Sequence, residues 1–138
     1  AVAHKAGVLQ FAFFQNAGYR GLYNMNLCDL RERKGIPDRR SPLDFMGKDE
    51  LAANLFRITQ TELKIKKDNV KGQSGLEYTA ENVGQIVRKT MLDITNTPPE
   101  DMLPSEDIRT VKKELKGIHK DFGKLDAPPK NGKKKTRP

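Results

Sequence analysis

Six cations, Arg20, Arg31, Arg33, Lys34, Arg39 and Arg40, fall between positions 20 and 40, beside Tyr19 and Tyr23. Guanidinium groups clamp phosphates with paired hydrogen bonds, and phenol rings give bases a stacking platform. Arg57 and Lys64 sit on the polar arc of a later helical segment and extend the set. The candidate nucleic-acid contacts are therefore Tyr19, Arg20, Arg31, Lys34, Arg39, Arg40, Arg57 and Lys64. A blander reading stands beside this one. "DLRERK" alternates charge signs as an ordinary solvated helix does, and Tyr19 and Tyr23 also suit core positions with one wet end.

Catalytic chemistry is harder to find. His4 and His119 lie near opposite ends of the chain, with no companion at metal-ligand spacing. Cys28 and Ser41 have no general base nearby in sequence. Gly18-x-x-Gly21 matches the GXXG clamp of KH domains only superficially, because the surrounding strand pattern is missing. A nuclease would need Asp29, Glu32, Asp38 and Asp44 brought together by the fold. The sequence thus predicts a non-enzymatic protein with no cofactor and no metal, and a nuclease is the weaker alternative.

The chain has 138 residues, the size of one domain. With 36% hydrophobic and 32% charged residues it suits a small domain with a large solvated surface. No apolar run reaches the length that spans a bilayer. A single cysteine and no leader pattern fit a reducing cytoplasmic location. Position 1 is Ala, which suggests a processed product or a piece of a longer protein. The net charge of +8 is concentrated in residues 127–138, which hold five basic and no acidic residues. Such a tail attracts phosphates without regard to sequence. The expected domains are a helical unit at 1–126 and a disordered Lys-rich tail at 127–138.

The elements read as all-α, about five to six helices punctuated by Gly and Pro. Residues 1–6 end a helix at Gly7, and Leu9 to Asn16 form a second that Gly18 closes. Leu27 to Lys34 is a third. Ser41-Pro42 opens a short turn through its cap and first-position proline. Residues 48–67 form the longest helix, with acids at its start and lysines at its end. Its apolar residues Leu51, Leu55, Ile58 and Ile65, with Ala52, Phe56 and Leu63, cover half its circumference. That half is expected to face the core, leaving Asn54, Arg57, Gln60, Thr61 and Lys64 outside. Glu62 falls within the apolar arc and needs an Arg, a Tyr hydroxyl or a helix N-terminus as partner, unless the helix outruns its neighbours there and leaves it exposed. Residues 70–78 read as a loop before a helix that Thr79 caps. Gly84 inside that helix marks either a close crossing or a tolerated cost of about 1 kcal/mol. The last helix, capped by Ser105, carries Ile108, Val111, Leu115, Ile118 and Phe122 at spacings of 3, 4, 3 and 4. This narrow stripe docks on its own domain or forms a partner interface, including a homodimer.

Several motifs together resemble the DNA-damage-inducible protein D (DinD) family, in its C-terminal domain. They are "AGV" at Ala6–Val8, "FQNAGYRGLY" at Phe14–Tyr23, "RKGI" at Arg33–Ile36, "FMGKDELAANLFRITQTELKIK" at Phe45–Lys66, "VGQIVRKTM" at Val83–Met91 and the proline-rich "PPEDMLPS". The resemblance covers roughly residues 1 to 118 and excludes the tail. It implies a regulatory module of the bacterial SOS response, or of phage origin, in the cytoplasm and associated with the nucleoid. The implied partners are RecA filaments, DNA (single- or double-stranded), and an upstream antirepressor-like DNA-binding domain in the full-length protein. It implies modulation of recombination and assigns no residue a role. The alternative is a structural or oligomerisation domain whose DNA-binding work lies upstream.

Within the signature segment, Gly18 and Gly21 are expected to form a left-handed helix stop and a tight re-entry. Tyr19 and Tyr23 are expected against the long helix, one hydroxyl answering Glu62. Arg20 is expected on the surface, and the open question is whether it shares a face with Arg39 and Arg40.

Overall fold

A computed structural model describes residues 2–7, 10–103 and 116–117. The stripe Ile108, Val111, Leu115, Ile118 and Phe122, and the tail 127–138, lie outside the described residues. The described fold is all-α. It runs α1 (Val2–Lys5), α2 (Phe11–Tyr23), α3 (Leu27–Lys34), a 3-10 turn (Pro42–Phe45), α4 (Lys48–Asp68), α5 (Gln73–Thr95) and a second 3-10 turn (Pro99–Asp101). None of the described helices is long and apolar enough to cross a membrane.

α2 packs chiefly on α5, and α4 closes against both. Small residues allow the first of these contacts. A Cβ on Gly21 would fall 2.1 Å from the Glu81 carbonyl oxygen, and one on Gly84 would fall 2.7 Å from the Leu22 nitrogen. Gly84 therefore marks a close helix crossing, and Gly21 is the matching notch on the other helix. The expected stop at Gly18 is corrected. α2 continues through both glycines, and its C-terminal residue of left-handed conformation is Asn24, at φ 57°. Asparagine also ends α4 and α5, at Asn69 and Asn96, because its short side chain tolerates that backbone region.

The expected loop at 70–78 is also corrected. α5 begins at Gln73, and Thr79 is a buried mid-helix residue whose Oγ1 donates to the Gly75 carbonyl. Ser41 does act as predicted, accepting from the Leu43 N–H at 3.2 Å ahead of Pro42.

The main core joins Tyr19, Leu22 and Tyr23 of α2 to Leu30, Met46, Leu51, Val83 and Val87. A smaller cluster gathers Ala3, Ala6, Ile65 and Leu76 around α1. Two ion pairs fasten the proline-rich segment to this body. Arg88 grips Glu100 through both terminal nitrogens, at 2.7 and 2.8 Å, and Arg33 meets Asp101 at 2.5 Å.

The close crossing generates a prediction. Gly21→Ala forces backbone apart and should cost about 3 kcal/mol, a fall in Tm of roughly 10–20 °C. Gly35→Ala meets nothing within 4 Å and bears only the strain of φ +69°, about 1 kcal/mol. Thermal melts followed by circular dichroism check the contrast, and equal small losses would contradict it.

Candidate functional site

α4 is rotated about its axis from the orientation its apolar pattern predicts. Its buried residues are Glu50, Leu51, Asn54, Arg57, Thr61 and Ile65, which recur at helical spacing along one face. The apolar residues expected inside are in part outside: Leu55, Phe56 and Leu63 are exposed. The reading of Asn54, Arg57 and Thr61 as a solvent face is therefore corrected. What overrides the pattern is a line of mutually satisfied polar groups.

The line begins at Glu50, whose side chain is 1% exposed. Lys34 of α3 donates to its Oε1 at 3.0 Å, and to the carbonyls of Met102 at 2.7 Å and Pro99 at 3.3 Å. All three ammonium protons are thus used. The Tyr23 hydroxyl donates to Glu50 Oε2 and accepts from Asn54 Nδ2 at 3.0 Å. Asn54 also donates to the Glu50 carbonyl at 3.0 Å, and its Oδ1 accepts from Arg57 Nε at 3.1 Å. Arg57 ends the line, its guanidinium carbon 4.4 Å over the Tyr19 ring. Burial pushes the Glu50 carboxyl above the ordinary carboxylate range, against the pull of Tyr23 and Lys34. Burial likewise raises the Tyr23 phenol and lowers the Arg57 guanidinium from their usual values.

Gly18 belongs to this arrangement. A Cβ there would lie 2.6 Å from Arg57 Nη1, so the missing side chain makes room for the guanidinium. Glu62 does not belong to it. It is half-buried at the wall of a cavity and forms no hydrogen bond or ion pair among the described residues. The tyrosine hydroxyl anticipated for it goes to Glu50 instead.

The predicted nucleic-acid contacts are scattered. Lys34 and Arg57 are buried in the polar line, and Tyr19 is buried beneath Arg57, so all three are corrected as surface groups in this fold. Arg20 is half-exposed and pairs with Glu81 at 2.7 Å, and Arg31 donates to the carbonyls of Pro37 and Arg40. Arg40 faces Asp44 at 3.5 Å and covers the Phe45 ring. Lys64 pairs with Asp68 at 2.8 Å on the exposed side of α4. Arg39 is exposed on the turn after α3. Arg20 is thus tied to α5 while Arg39 and Arg40 sit on the α3 side, and the six cations do not form one free phosphate clamp.

Sequence reasoning missed Glu50 and Asn54. Glu50 reads as an N-terminal acid suited to the helix dipole. The available signal was the run Glu50, Asn54, Arg57, Thr61, a polar stripe as regular as the apolar one. Exposed instead is an apolar groove between α4 and α5, lined by Phe56, Leu63, Val83, Ile86 and Val87, with Lys64 and Lys67 at its edge. Phe56 is 55% exposed, Leu63 57% and Ile86 58%.

The described residues form a small helical domain with an inward polar line and an outward apolar groove. The chain belongs to the family of the DinD C-terminal domain, whose model matches residues 1–113. It is similar to the DNA damage-inducible protein D of Escherichia coli K12, at 41% identity over 119 residues. That match covers 83% of this chain and 43% of the relative, so the chain spans less than half the relative's length. No solved structure matches the chain.

Two consequences of the polar line can be measured. Tyr23→Phe removes a donor and an acceptor from buried partners and should cost about 1–3 kcal/mol in denaturant unfolding. Lys34→Met strands the carboxylate and should cost more, about 3–5 kcal/mol. Glu50 also gives a pH signature. A carboxyl raised on folding contributes stability that is full below its unfolded value, near 4.3, and lost as pH rises through the folded value. Wild-type stability relative to Glu50→Gln should therefore fall as pH rises above the unfolded carboxyl value. A rise instead would overturn the assignment.

Proposed function

We propose that this domain is a non-enzymatic regulatory module of the DNA-damage response that modulates recombination by contact with RecA filaments. The observation that supports protein contact is the inverted packing of α4. A fold that buries Glu50, Asn54 and Arg57 while exposing Phe56, Leu63 and Ile86 presents an apolar patch suited to a partner surface. The neutralised state of Arg20, Arg33, Lys34 and Arg40 favours protein over DNA as the first contact of this region. DNA contact is the accessory part of the reading, carried by Arg39, Lys66, Lys67 and the basic residues 127–138. The upstream DNA-binding domain of a longer protein would supply further affinity.

A second reading uses the same groove for a second copy of the chain, making this the oligomerisation domain of a DNA-binding protein. Its support is the same patch, so the two readings share variants and differ in readout.

The test is a binding titration of the full chain against RecA filaments on single-stranded DNA, against bare single-stranded and duplex DNA, and against filaments in a salt series. Phe56→Ser with Ile86→Ser should weaken filament binding tenfold or more and leave Tm nearly unchanged, as expected for exposed anchors. Arg39→Ala should change bare DNA binding alone and weaken with salt. Loss of a dimer in light scattering, with filament binding intact, would favour the second reading. Cleavage of labelled DNA with a divalent metal would contradict both.

A further inference from the structure

The polar line is complete at every member except the last. Lys34 spends all three protons, and the Tyr23 hydroxyl both donates and accepts. Arg57 has five N–H groups to satisfy and is 6% exposed. One of them reaches Asn54 Oδ1, and Tyr19 lies against the guanidinium with its ring over one face and its hydroxyl interacting with it. No described carboxylate lies within ion-pair distance of it, although burying an unpaired cation is expensive. Arg57 lines a cavity of about 190 Å³.

The walls of that cavity are mostly apolar: Phe11, Phe14, Tyr19, Leu43, Ile58 and Ile65. Thr61 lines it too, with its hydroxyl proton already given to the Arg57 carbonyl at 2.7 Å, so its oxygen is left as an acceptor. The volume slightly exceeds that of an engineered apolar cavity known to admit benzene. Gly18 lines the same space, and a Cβ there would collide with Arg57 Nη1.

We propose that this cavity binds a small organic acid, an apolar body of about one aromatic ring bearing a single carboxylate, with Arg57 as its counter-charge. Each part of that description answers a feature of the site. The ring-lined walls reject a bare inorganic anion. The volume rejects a nucleotide. The single buried guanidinium answers one negative charge, and the Glu62 carboxylate on the wall would repel a second. A neutral hydrocarbon would leave the guanidinium as unpaired as before. The site is independent of the apolar groove, which lies on the other side of α4.

The probe is benzoate, titrated into the full chain and followed by thermal shift and by NMR of the Arg57 Nε–H and the Ile58 and Ile65 methyl groups. Benzyl alcohol supplies the ring without the charge, and inorganic phosphate supplies charge without the ring. Benzoate should raise Tm saturably and shift all three sets of resonances. It should bind at least about tenfold tighter than benzyl alcohol, the effect of one charge-assisted hydrogen bond. Ile58→Trp, at the half-exposed mouth, should keep the fold and abolish the response by filling the cavity. Arg57→Met should bind benzoate and benzyl alcohol equally. Equal affinity of the wild type for the two would overturn the proposal. So would an equal response to phosphate, no shift at Arg57, or benzoate binding that survives Ile58→Trp.

Discussion

The carboxylate of Glu50 constrains everything around it. A carboxyl that is 1% exposed persists only where its oxygens are hydrogen-bonded, and here α2 and α3 supply one partner to each. Tyr23 comes from α2, Lys34 from α3, and Lys34 then reaches on to the carbonyls at Pro99 and Met102. One buried acid thus ties together four segments spread between Tyr23 and Met102. The rotation of α4 follows, because the face that carries Glu50 must point inward. Asn54 and Arg57, one and two turns further along, are carried inward with it.

The rotation has a cost on the other side of the helix. Phe56 and Leu63 would ordinarily be buried at about 1.5–3 kcal/mol each. Their exposure means that the polar line and the close α2–α5 crossing outweigh that loss within the domain, or that a partner recovers it. Glycine serves two distinct purposes in this design. Gly21 and Gly84 let two backbones touch, whereas Gly18 admits a guanidinium.

Much of the fold was legible in the sequence, and the errors have physical causes. α4 and its limits were clear because acids, lysines and length agree. The class was clear because Gly and Pro punctuate helical runs. The end of α2 was missed because glycine is the usual left-handed residue, and here two glycines sit mid-helix for packing while Asn24 ends it. α5 was begun too late because Thr79 has the chemistry of a cap but is bonded back to Gly75. The site was the least legible part. Hydrophobic periodicity assigns the apolar arc to the core, and it carries no term for a polar stripe that satisfies itself. Lys34, Arg57 and Tyr19 had the residue types of a nucleic-acid surface, but Lys34 is held by Glu50, 16 residues on, and Tyr19 by Arg57 of another helix.

The central claim is that α4 turns its polar stripe inward and its apolar flank outward. The chain contains no tryptophan, so a single Phe56→Trp reports directly on that flank. The indole is predicted to emit as a largely solvated group and to be open to acrylamide, with the melting temperature unchanged. Blue-shifted emission protected from quencher in the isolated, monomeric chain would contradict the account.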